Sequence, residues 1–336
     1  MKKKIINLFF RKPFYGKSYS IENFYREIIK NHKRKDFVFK IKVCPKESKG
    51  FLNRLILIFW AFNNQGDINH ICGDINFISL LMNKKKTINT ILDLYSLKRL
   101  SGIKKIIYNL FWIKIPIYKS SKVIVISNKT RKDIFSNKNI TKKKLSVIDI
   151  CAQDIFKKNL KHSIRKKPKI LIIGTNENKN LKNIFHSIKY INCELIIIGI
   201  LSKDDNLILK NLNINFKNFI ALSNKNILRK YIECDILLFP SKYEGFGMPI
   251  LEAQSVGRSV ITSKLEPMTF VGGDAALYVN PNSIKDIRMG ILKAINNDKL
   301  RNHLISKGFK NIKRFDKDKI FQDYLKCYKE VLKNYL

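Results

Sequence analysis

Short runs of apolar residues recur along this chain of 336 residues, separated by stretches with the periodicity of helices. Runs of this length and composition are typical of strands that are buried on both faces of a parallel sheet. In the first half they predict strands at residues 5–10, 37–43, 88–92, 123–126 and 147–150. In the second half they predict strands that begin near residues 170, 195, 236, 260 and 277. The alternation predicts an α/β protein with two parallel sheets, each covered by helices on both faces.

The length of the chain suits two domains of ordinary size. No internal repeat and no long linker rich in Gly, Pro or Ser is apparent, so the best boundary is the polar, basic stretch 157–169. We therefore expect a first domain over residues 1–158, a second over 159–319 and a final helix over 320–336.

The most informative stretch is residues 239–253, Phe-Pro-Ser-Lys-Tyr-Glu-Gly-Phe-Gly-Met-Pro-Ile-Leu-Glu-Ala. It reads as the end of a strand, a glycine-rich loop and the start of a helix. Gly245 and Gly247 lack a Cβ, so the backbone there can take left-handed angles and approach a ligand closely. Pro249 suits the first helical position and Gly257 suits the helix end. The N-terminus of such a helix favours a phosphate in the loop.

Two carboxylates flank this loop. Glu244 lies in the loop and Glu252 in the predicted first helical turn, so both can accept hydrogen bonds from ligand hydroxyls in one crevice. Hydroxyls beside a phosphate suggest a nucleotide sugar. The alternative is that Glu252 only complements the dipole of its helix and Glu244 is a solvated loop residue.

This string closely resembles the E-x7-E signature of the retaining, family 4 type glycosyltransferases (glycosyl transferases group 1). The resemblance implies the glycosyltransferase B fold, with two Rossmann-like domains facing across a cleft. It further implies that Glu252 binds ribose hydroxyls and that Glu244 meets the sugar as a catalytic residue. The segment Gly245, Phe246, Gly247 and Met248 would contact the diphosphate of the donor, largely through its backbone. The final helix resembles the family's C-terminal helix, which commonly crosses back onto the first domain.

The resemblance extends upstream to residues 170–181, which look like the first strand and loop of the donor-binding domain. Gly174 and Thr175 belong to this loop, and Lys179 is the candidate diphosphate lysine. In a chain so rich in lysine, the alternative is a solvated surface residue. Many relatives carry an Arg where this chain has Thr175, so a second cation is unassigned, with Lys182 or a residue of the other domain as possibilities.

Other segments depart from the family pattern. Residues 271–281 resemble the following donor-domain segment, but Phe270 stands where many relatives place a Glu. In the first half, Leu92 replaces a His that in relatives faces the transferred sugar. Asp93 follows it and is either a catalytic contact or a turn former. His70, on an apolar strand, is expected to be an interior histidine, and Ser127 is a plausible helix N-cap.

The loop after the first strand is a further candidate region by its location alone. Tyr15 and Tyr19 could line an acceptor pocket, and Arg11, Lys12 and Lys17 could meet a phosphate.

The 66 Lys and Arg residues against 26 Asp and Glu give a net charge of +40, which suits contact with polyanions. No zinc-finger spacing, RNA-binding signature or confined basic tail is found, so nucleic acid is a poor candidate. An anionic membrane surface fits better. The alternative explanation of the high charge is compositional drift, since the chain is rich in Lys, Asn and Ile. Membrane contact and compositional drift can both contribute.

Residues 55–62 are apolar but far shorter than the roughly 20 residues that span a bilayer, so we expect a buried helix there, with an interfacial role as the alternative. The start of the chain is not a convincing signal peptide. Six scattered cysteines without a C-x-x-C pair predict a reduced, cytoplasmic protein without disulfides or zinc, which could be peripheral on the inner face of the membrane.

By resemblance, the expected function is retaining transfer of a hexose or hexosamine from a UDP- or GDP-sugar to a hydroxyl of a glycan or lipid-linked acceptor, as in cell-surface polysaccharide synthesis. No metal or other cofactor is expected, because Lys179 and the N-terminus of the helix after the glycine-rich loop can stabilise the charge of the leaving diphosphate. The alternatives are a catalytically weak partner subunit, prompted by Leu92 and Phe270, and a basic nucleic-acid-binding protein on the same fold.

Overall fold

The computed structural model describes residues 3–13, 20–30, 36–136, 144–159 and 164–333. Two compact units form within the chain. The first comprises Met1–Ile150 together with Lys317–Leu336, and the second comprises Cys151–Asp316.

Strands and helices alternate through both units. The strands are β1 Lys4–Phe10, β2 Phe37–Val43, β3 Ile68–Ile71, β4 Thr87–Ile91, β5 Lys122–Val125, β6 Leu145–Val147, β7 Lys169–Ile173, β8 Glu194–Ile198, β9 Phe216–Phe219, β10 Ile236–Phe239, β11 Ser259–Ser263 and β12 Leu277–Val279. The helices are α1 Ser20–Lys30, α2 Phe51–Asn63, α3 Tyr95–Arg99, α4 Gly102–Tyr108, α5 Ile115–Tyr118, α6 Asn128–Ser136, α7 Leu181–Ile188, α8 Lys203–Asn211, α9 Asn224–Glu233, α10 Met248–Val256, α11 Met268–Gly272, α12 Ile284–Asn296, α13 Asp298–Asn311 and α14 Lys317–Lys333.

Each unit is built on one parallel sheet of six strands. The order is β2-β1-β3-β4-β5-β6 in the first unit and β12-β11-β10-β7-β8-β9 in the second. Each neighbouring pair is parallel. The central strand β10 is buried along its whole length, as its unbroken apolar run predicted. β3 and β4 are also buried throughout, although they contain polar residues such as Asn69 and Asn89. The prediction of an α/β fold with two parallel sheets is confirmed.

The sequence prediction was wrong at two strands. The run at residues 147–150 predicted a strand, but β6 is Leu145–Val147 and the chain leaves the sheet after it. The edge strand β9 was not predicted, because Phe216–Phe219 alternates with Lys217 and Asn218 and pairs with β8 on one side only.

In the first unit, α14 packs on the sheet through a buried polar cluster. The His70 ring hydrogen-bonds through Nδ1 to the Tyr328 hydroxyl and through Nε2 to Thr90 Oγ1, at 2.8 Å in each case. Tyr25 and Tyr324 extend the cluster, with their hydroxyls 3.2 Å apart. Burial lowers the pKa of His70 to about 3, so the ring is neutral. His70 is therefore the expected interior histidine.

The apolar run at residues 55–62 does form a helix, but the prediction that this helix is buried was wrong. Leu57, Ile58 and Ala61 of α2 are buried, whereas Leu52 and Phe59 are 72% and 57% exposed. Apolar composition predicts a helix without saying how many of its faces are covered.

Candidate functional site

In the second unit, the two predicted site loops follow neighbouring strands. β7 and β10 lie side by side in the middle of the sheet, and the chain proceeds outward from them in opposite directions, to β9 and to β12. Such a reversal of strand order is where open α/β sheets bind ligands, beyond the carboxyl ends of the strands. The loop after β7 contains Gly174, Thr175 and Lys179, and the loop after β10 contains Glu244.

The glycine-rich loop leads into α10 as the sequence predicted, with three differences, of which the first is that Pro249 is the second residue of the helix and not the first. Gly247 has a φ of 110° and Gly257, which ends the helix, has a φ of 84°, but Gly245 does not take a positive φ. The left-handed conformation expected at Gly245 is thus absent. α10 begins at Met248, so Glu252 is its fifth residue and lies past the first turn.

The run Asn178, Lys179 and Asn180 ties the two loops together. Asn178 donates from Nδ2 to the Tyr243 carbonyl over 2.8 Å, and its own carbonyl accepts from the Lys242 amide over 2.8 Å. Asn180 donates from Nδ2 to the carbonyls of Pro240 and Pro281. These amide side chains hold the backbone of the glycine-rich loop, a role that the sequence did not reveal for either asparagine.

Lys179 and Glu244 form an ion pair between the two loops. Lys179 Nζ lies 2.6 Å from Glu244 Oε1, and the two side chains are 16% and 12% exposed. The ammonium also lies 4.6 Å from the centre of the Phe239 ring. Gly174 leaves room for this lysine, since a Cβ there would lie 2.8 Å from Lys179 Cε. Two residues that the sequence predicted for one site are therefore in direct contact.

Thr175 contributes differently from its neighbours. Its hydroxyl donates to the Ile200 carbonyl over 2.6 Å, which ties the loop after β7 to the loop after β8. Gly199 lies against it, and a Cβ there would be 2.7 Å from Thr175 Cγ2. The hydroxyl proton of Thr175 is thus used within the protein, and donor contact by this residue stays a prediction.

Glu252 is buried and bonded to a tyrosine on the neighbouring helix. The Tyr231 hydroxyl donates to Glu252 Oε2 over 2.6 Å, and both side chains are buried. Burial raises the pKa of Glu252 to about 7, although the hydrogen bond from Tyr231 opposes the rise. Burial, followed by the charge of Glu252, raises the pKa of Tyr231 well above its usual value. Tyr231 could not be predicted as a site residue from the sequence, since its pairing with Glu252 arises only when α9 packs on α10.

A buried arginine fixes the C-terminal ends of α9 and α10. Arg258 donates to the carbonyls of Tyr231 and Ile232 near the end of α9, and to those of Val256 and Gly257 at the end of α10. The guanidinium satisfies carbonyls that have no partner within their helices. It therefore helps to hold Tyr231 and Glu252 in register.

The remaining apolar residues of the signature differ in exposure. Phe246 is buried and packs edge-on against Phe315, with ring centres 5.8 Å apart. Phe270 packs against the same Phe315 ring, and the Arg314 guanidinium lies over Phe270 at 5.0 Å. The place of the relatives' Glu is thus occupied by an aromatic contact. Met248, the first residue of α10, is half-buried.

In the first unit, Asp93 lies at the carboxyl end of β4 and its Oδ1 accepts from the Tyr95 amide over 2.8 Å. This is the contact of a turn former, and a catalytic role for Asp93 stays a prediction. Ser127 Oγ accepts from the Thr130 amide over 3.1 Å, as an N-cap does. Arg11 forms an ion pair with Glu22. Tyr15, Lys17 and Tyr19 lie outside the described residues.

Three further features bear on the chemistry. The six cysteines, all within the described residues, are buried thiols that form no disulfide bond. Within the described part of the chain, no three His, Cys, Asp or Glu residues are grouped so that they could hold a metal ion. Within the same residues, no helix is both long and apolar enough to cross a membrane.

The fold is shared with solved glycosyltransferases. A glycosyltransferase of Rickettsia africae ESF-5 has a TM-score of 0.72 and 17% identity, with 99% of this chain and 100% of that chain covered. At this identity the likeness shows the fold alone. The class of protein is thus an α/β protein with the glycosyltransferase B fold.

The family follows from the sequence of the second unit. Residues 153–311 match the family described as Glycosyl transferases group 1. The second unit therefore matches this family over most of its length, as the resemblance of the signature implied.

Two curated relatives illustrate the range of the family. The O-antigen chain mannosyltransferase RfbU of Salmonella typhimurium is 26% identical over 270 residues, which cover 76% of this chain and 72% of that protein. The N,N'-diacetylbacillosaminyl-diphospho-undecaprenol alpha-1,3-N-acetylgalactosaminyltransferase of Campylobacter jejuni is 28% identical over 188 residues, 54% of this chain and 49% of that protein. The chain thus spans about half the length of this second relative.

Proposed function

We propose that the protein is a retaining glycosyltransferase that moves a hexose or hexosamine from a UDP- or GDP-sugar to a hydroxyl of a glycan or lipid-linked acceptor in cell-surface polysaccharide synthesis. The observation that carries the proposal is the contact between Lys179 and Glu244 at the reversal of strand order, beside the N-terminus of α10. The activities for which the two relatives are named, which concern an O-antigen chain and a diphospho-undecaprenol acceptor, support the class of acceptor.

The proposed chemistry is electrostatic. Lys179 and the N-terminus of α10 stabilise the negative charge that develops as the nucleoside diphosphate leaves. In the free protein the Lys179 charge is balanced by Glu244, so the donor diphosphate takes over this lysine when it binds. Glu244 is then available to accept hydrogen bonds from the sugar. Glu252 accepts from the ribose hydroxyls, and Tyr231 keeps its carboxylate oriented.

The first experiment is calorimetric titration of the purified protein with UDP, GDP, UDP-glucose, UDP-N-acetylgalactosamine and GDP-mannose. We expect selective binding to one nucleotide and at least about tenfold weaker binding in Glu252→Ala, because a buried carboxylate acceptor is lost. Glu194→Ala, on β8 of the same unit, is the control. Binding to neither nucleotide by folded wild-type protein would contradict the donor site.

Transfer is tested with radiolabelled donor and membrane lipid extract, and NMR of the product reports whether the anomeric configuration is retained. A second function is favoured by the aromatic packing of Phe270, where relatives carry a Glu. A partner subunit that binds the donor without transferring it would show nucleotide affinity and no product with any extract. Association with an anionic membrane surface on the cytoplasmic side belongs to the same proposal, since the net charge is +40.

A further inference from the structure

Two helices of the first unit turn apolar side chains toward solvent. On α2, Leu52, Leu55 and Phe59 are exposed. On α4 and the π-helical turn that follows it, Ile103, Ile106 and Leu110 are exposed. We call these six side chains the exposed apolar face. Their spacing of three or four residues places each set along one side of its helix.

The exposed apolar face is unusual in degree as well as in pattern. Ile103 is 74% and Ile106 67% exposed, and α4 contains no buried residue at all. Single exposed leucines are common on protein surfaces, but helices that turn an apolar stripe outward mark an interaction site. The isoleucines of α4 therefore add no buried apolar surface to the core of their own unit.

The two helices lie on one side of the first unit. They share a cleft of about 460 Å³ whose lining includes Arg54 of α2 and Lys104 and Ile107 of α4, together with Asp74. The Arg54 guanidinium lies 4.8 Å from the centre of the Trp112 ring, just beyond α4. Both helices thus contribute side chains to one cleft, although the six residues of the exposed apolar face are not part of its lining.

The charged residues around the exposed apolar face indicate what kind of partner binds there. The sequence has no Asp or Glu between Glu47 and Asp67, or between Asp93 and Asp133, so neither helix nor its flanks carry a carboxylate. The same stretches carry exposed lysines, among them Lys49, Lys104, Lys105 and Lys114. Apart from Asp74 in the cleft, the charges beside these apolar side chains are basic, and this combination complements an anionic lipid surface, with the helices lying in the plane of the interface. A second copy of this chain would bring the same positive charge against the face.

From these observations we infer that the exposed apolar face is a membrane-docking surface, which inserts its Leu, Ile and Phe side chains among the acyl chains of an anionic bilayer while the flanking lysines contact lipid phosphates. The inference does not depend on the donor site, which lies in the other unit.

Vesicle sedimentation with the full-length protein tests this inference. Vesicles of equal parts phosphatidylglycerol and phosphatidylcholine are compared with vesicles of phosphatidylcholine alone. We expect binding to the anionic vesicles to be at least about tenfold tighter. The double variants Leu52→Ser with Phe59→Ser, and Ile103→Ser with Ile106→Ser, are each expected to weaken it at least about tenfold. Lys104→Gln with Lys105→Gln is expected to weaken it about fivefold per lysine, an effect that high salt removes.

Matched controls come from the other unit. Leu207 and Met289 are each 57% exposed, so Leu207→Ser with Met289→Ser removes comparable apolar surface elsewhere. Lys299→Gln with Lys310→Gln removes the same charge from α13. Both controls should bind vesicles as the wild type does, and all variants should keep wild-type nucleotide affinity.

Two results would overturn the inference. One is wild-type protein that does not bind the anionic vesicles, or serine variants that bind them unchanged. The other is a dimer by size exclusion that the serine variants convert to a monomer with vesicle binding unaltered, which would assign the face to a second copy. Failure of the wild-type protein to bind nucleotides would count against the donor site. It would not change the interpretation of the vesicle experiment.

Discussion

Lys179 Nζ contacts Glu244 Oε1 at 2.6 Å, so the candidate cation for the donor diphosphate is already paired with the candidate sugar-binding carboxylate. The two residues come from loops after neighbouring strands and are mostly shielded from water. Their charges therefore balance each other until a ligand with its own negative charge competes for the lysine. This relationship predicts opposite effects for substitutions of the two partners.

Lys179→Met should weaken binding of the matching nucleoside diphosphate at least about tenfold, because a charge-assisted contact to phosphate is lost. Glu244→Gln should leave that affinity unchanged or tighten it, since Lys179 is no longer neutralised, yet it should lower sugar transfer by about a hundredfold or more. Calorimetry measures the first effect and product formation the second.

Lys210→Met on α8 is the charge-matched control for these variants. A Glu244→Gln variant whose nucleotide affinity falls as far as that of Lys179→Met would show that the ion pair serves to shape the loop and that Lys179 does not meet the phosphates.

The pairing of Tyr231 with Glu252 predicts a pH dependence of donor binding. Because the pKa of Glu252 is raised to about 7, the carboxyl takes up a proton as the pH falls below that value. The protonated group is a weaker acceptor for ribose hydroxyls, so affinity for the nucleotide sugar should fall by up to about tenfold per pH unit. A nucleotide sugar is the right probe, because its diphosphate diester does not itself titrate near neutral pH.

Tyr231→Phe sharpens this test. The Tyr231 hydroxyl stabilises the ionised carboxylate, so its removal should raise the pKa of Glu252 further and move the pH midpoint of binding upward. Tyr278→Phe is the control, because the Tyr278 hydroxyl donates to the Gly273 carbonyl and plays no part in this pair. An unchanged pH midpoint in Tyr231→Phe would show that the Tyr231 hydroxyl does not influence donor binding.

The same raised pKa makes a prediction for stability. The carboxyl of Glu252 titrates near 4.5 in the unfolded chain and about 7 in the folded one, so the folded state holds its proton more tightly. Stability from this group is therefore full below the unfolded pKa and is lost as the pH rises through the folded pKa. Glu252→Gln should be more stable than wild type by about 3 kcal/mol near pH 8 and by under about 1 kcal/mol near pH 5.

Hydrogen exchange of peptides from β7 and β10 measures this effect within the second unit. Glu177→Gln, in the loop after β7, should show no such pH dependence. A difference between Glu252→Gln and wild type that is equal at both pH values would indicate a packing effect without a titration.

How far the sequence predicts this molecule depends on the range of the interaction involved. The position of β10 follows from its apolar run, because a strand buried on both faces favours apolar residues. β3 and β4 are buried as fully but contain Asn69 and Asn89, so an apolar run is not a necessary sign of a central strand. β9 was not predicted, because an edge strand is partly solvated and can contain polar residues. Lys179 and Glu244 could be nominated from local motifs, yet their mutual contact could not, since it depends on the order of β7 and β10 in the sheet.

The other features that the sequence did not predict also depend on contacts between distant parts of the chain. The bond of Tyr231 to Glu252 depends on how two helices pack, and the local sequence around Tyr231 carries no sign of it. α2 was expected to be buried because it is apolar, but composition does not say whether anything covers its outer face. The conformation of Gly245 depended on a loop held by Asn178 and Asn180 from another part of the chain.

Acid sensitivity of the first unit follows from His70. The pKa of this ring is about 3 in the folded protein because of burial, against about 6.5 in the unfolded chain. Its neighbours Tyr25 and Tyr328 have pKa values well above their usual range, so both are neutral and neither offsets the burial with a negative charge. Below pH 6.5 the unfolded chain therefore binds a proton at His70 that the folded chain does not bind. The free energy of unfolding falls as the pH is lowered, by about 2 kcal/mol at pH 5.

Both tryptophans, Trp60 and Trp112, belong to the first unit, so their fluorescence during denaturant unfolding reports on this unit alone. His70→Gln should be less stable than wild type at neutral pH, because two buried hydrogen bonds are disturbed, but its stability should change less between pH 7 and pH 5. His303→Gln, at an exposed site on α13, should keep the wild-type slope. If His70→Gln loses as much stability on acidification as wild type does, the acid response arises elsewhere in the unit and the buried ring is a packing element alone.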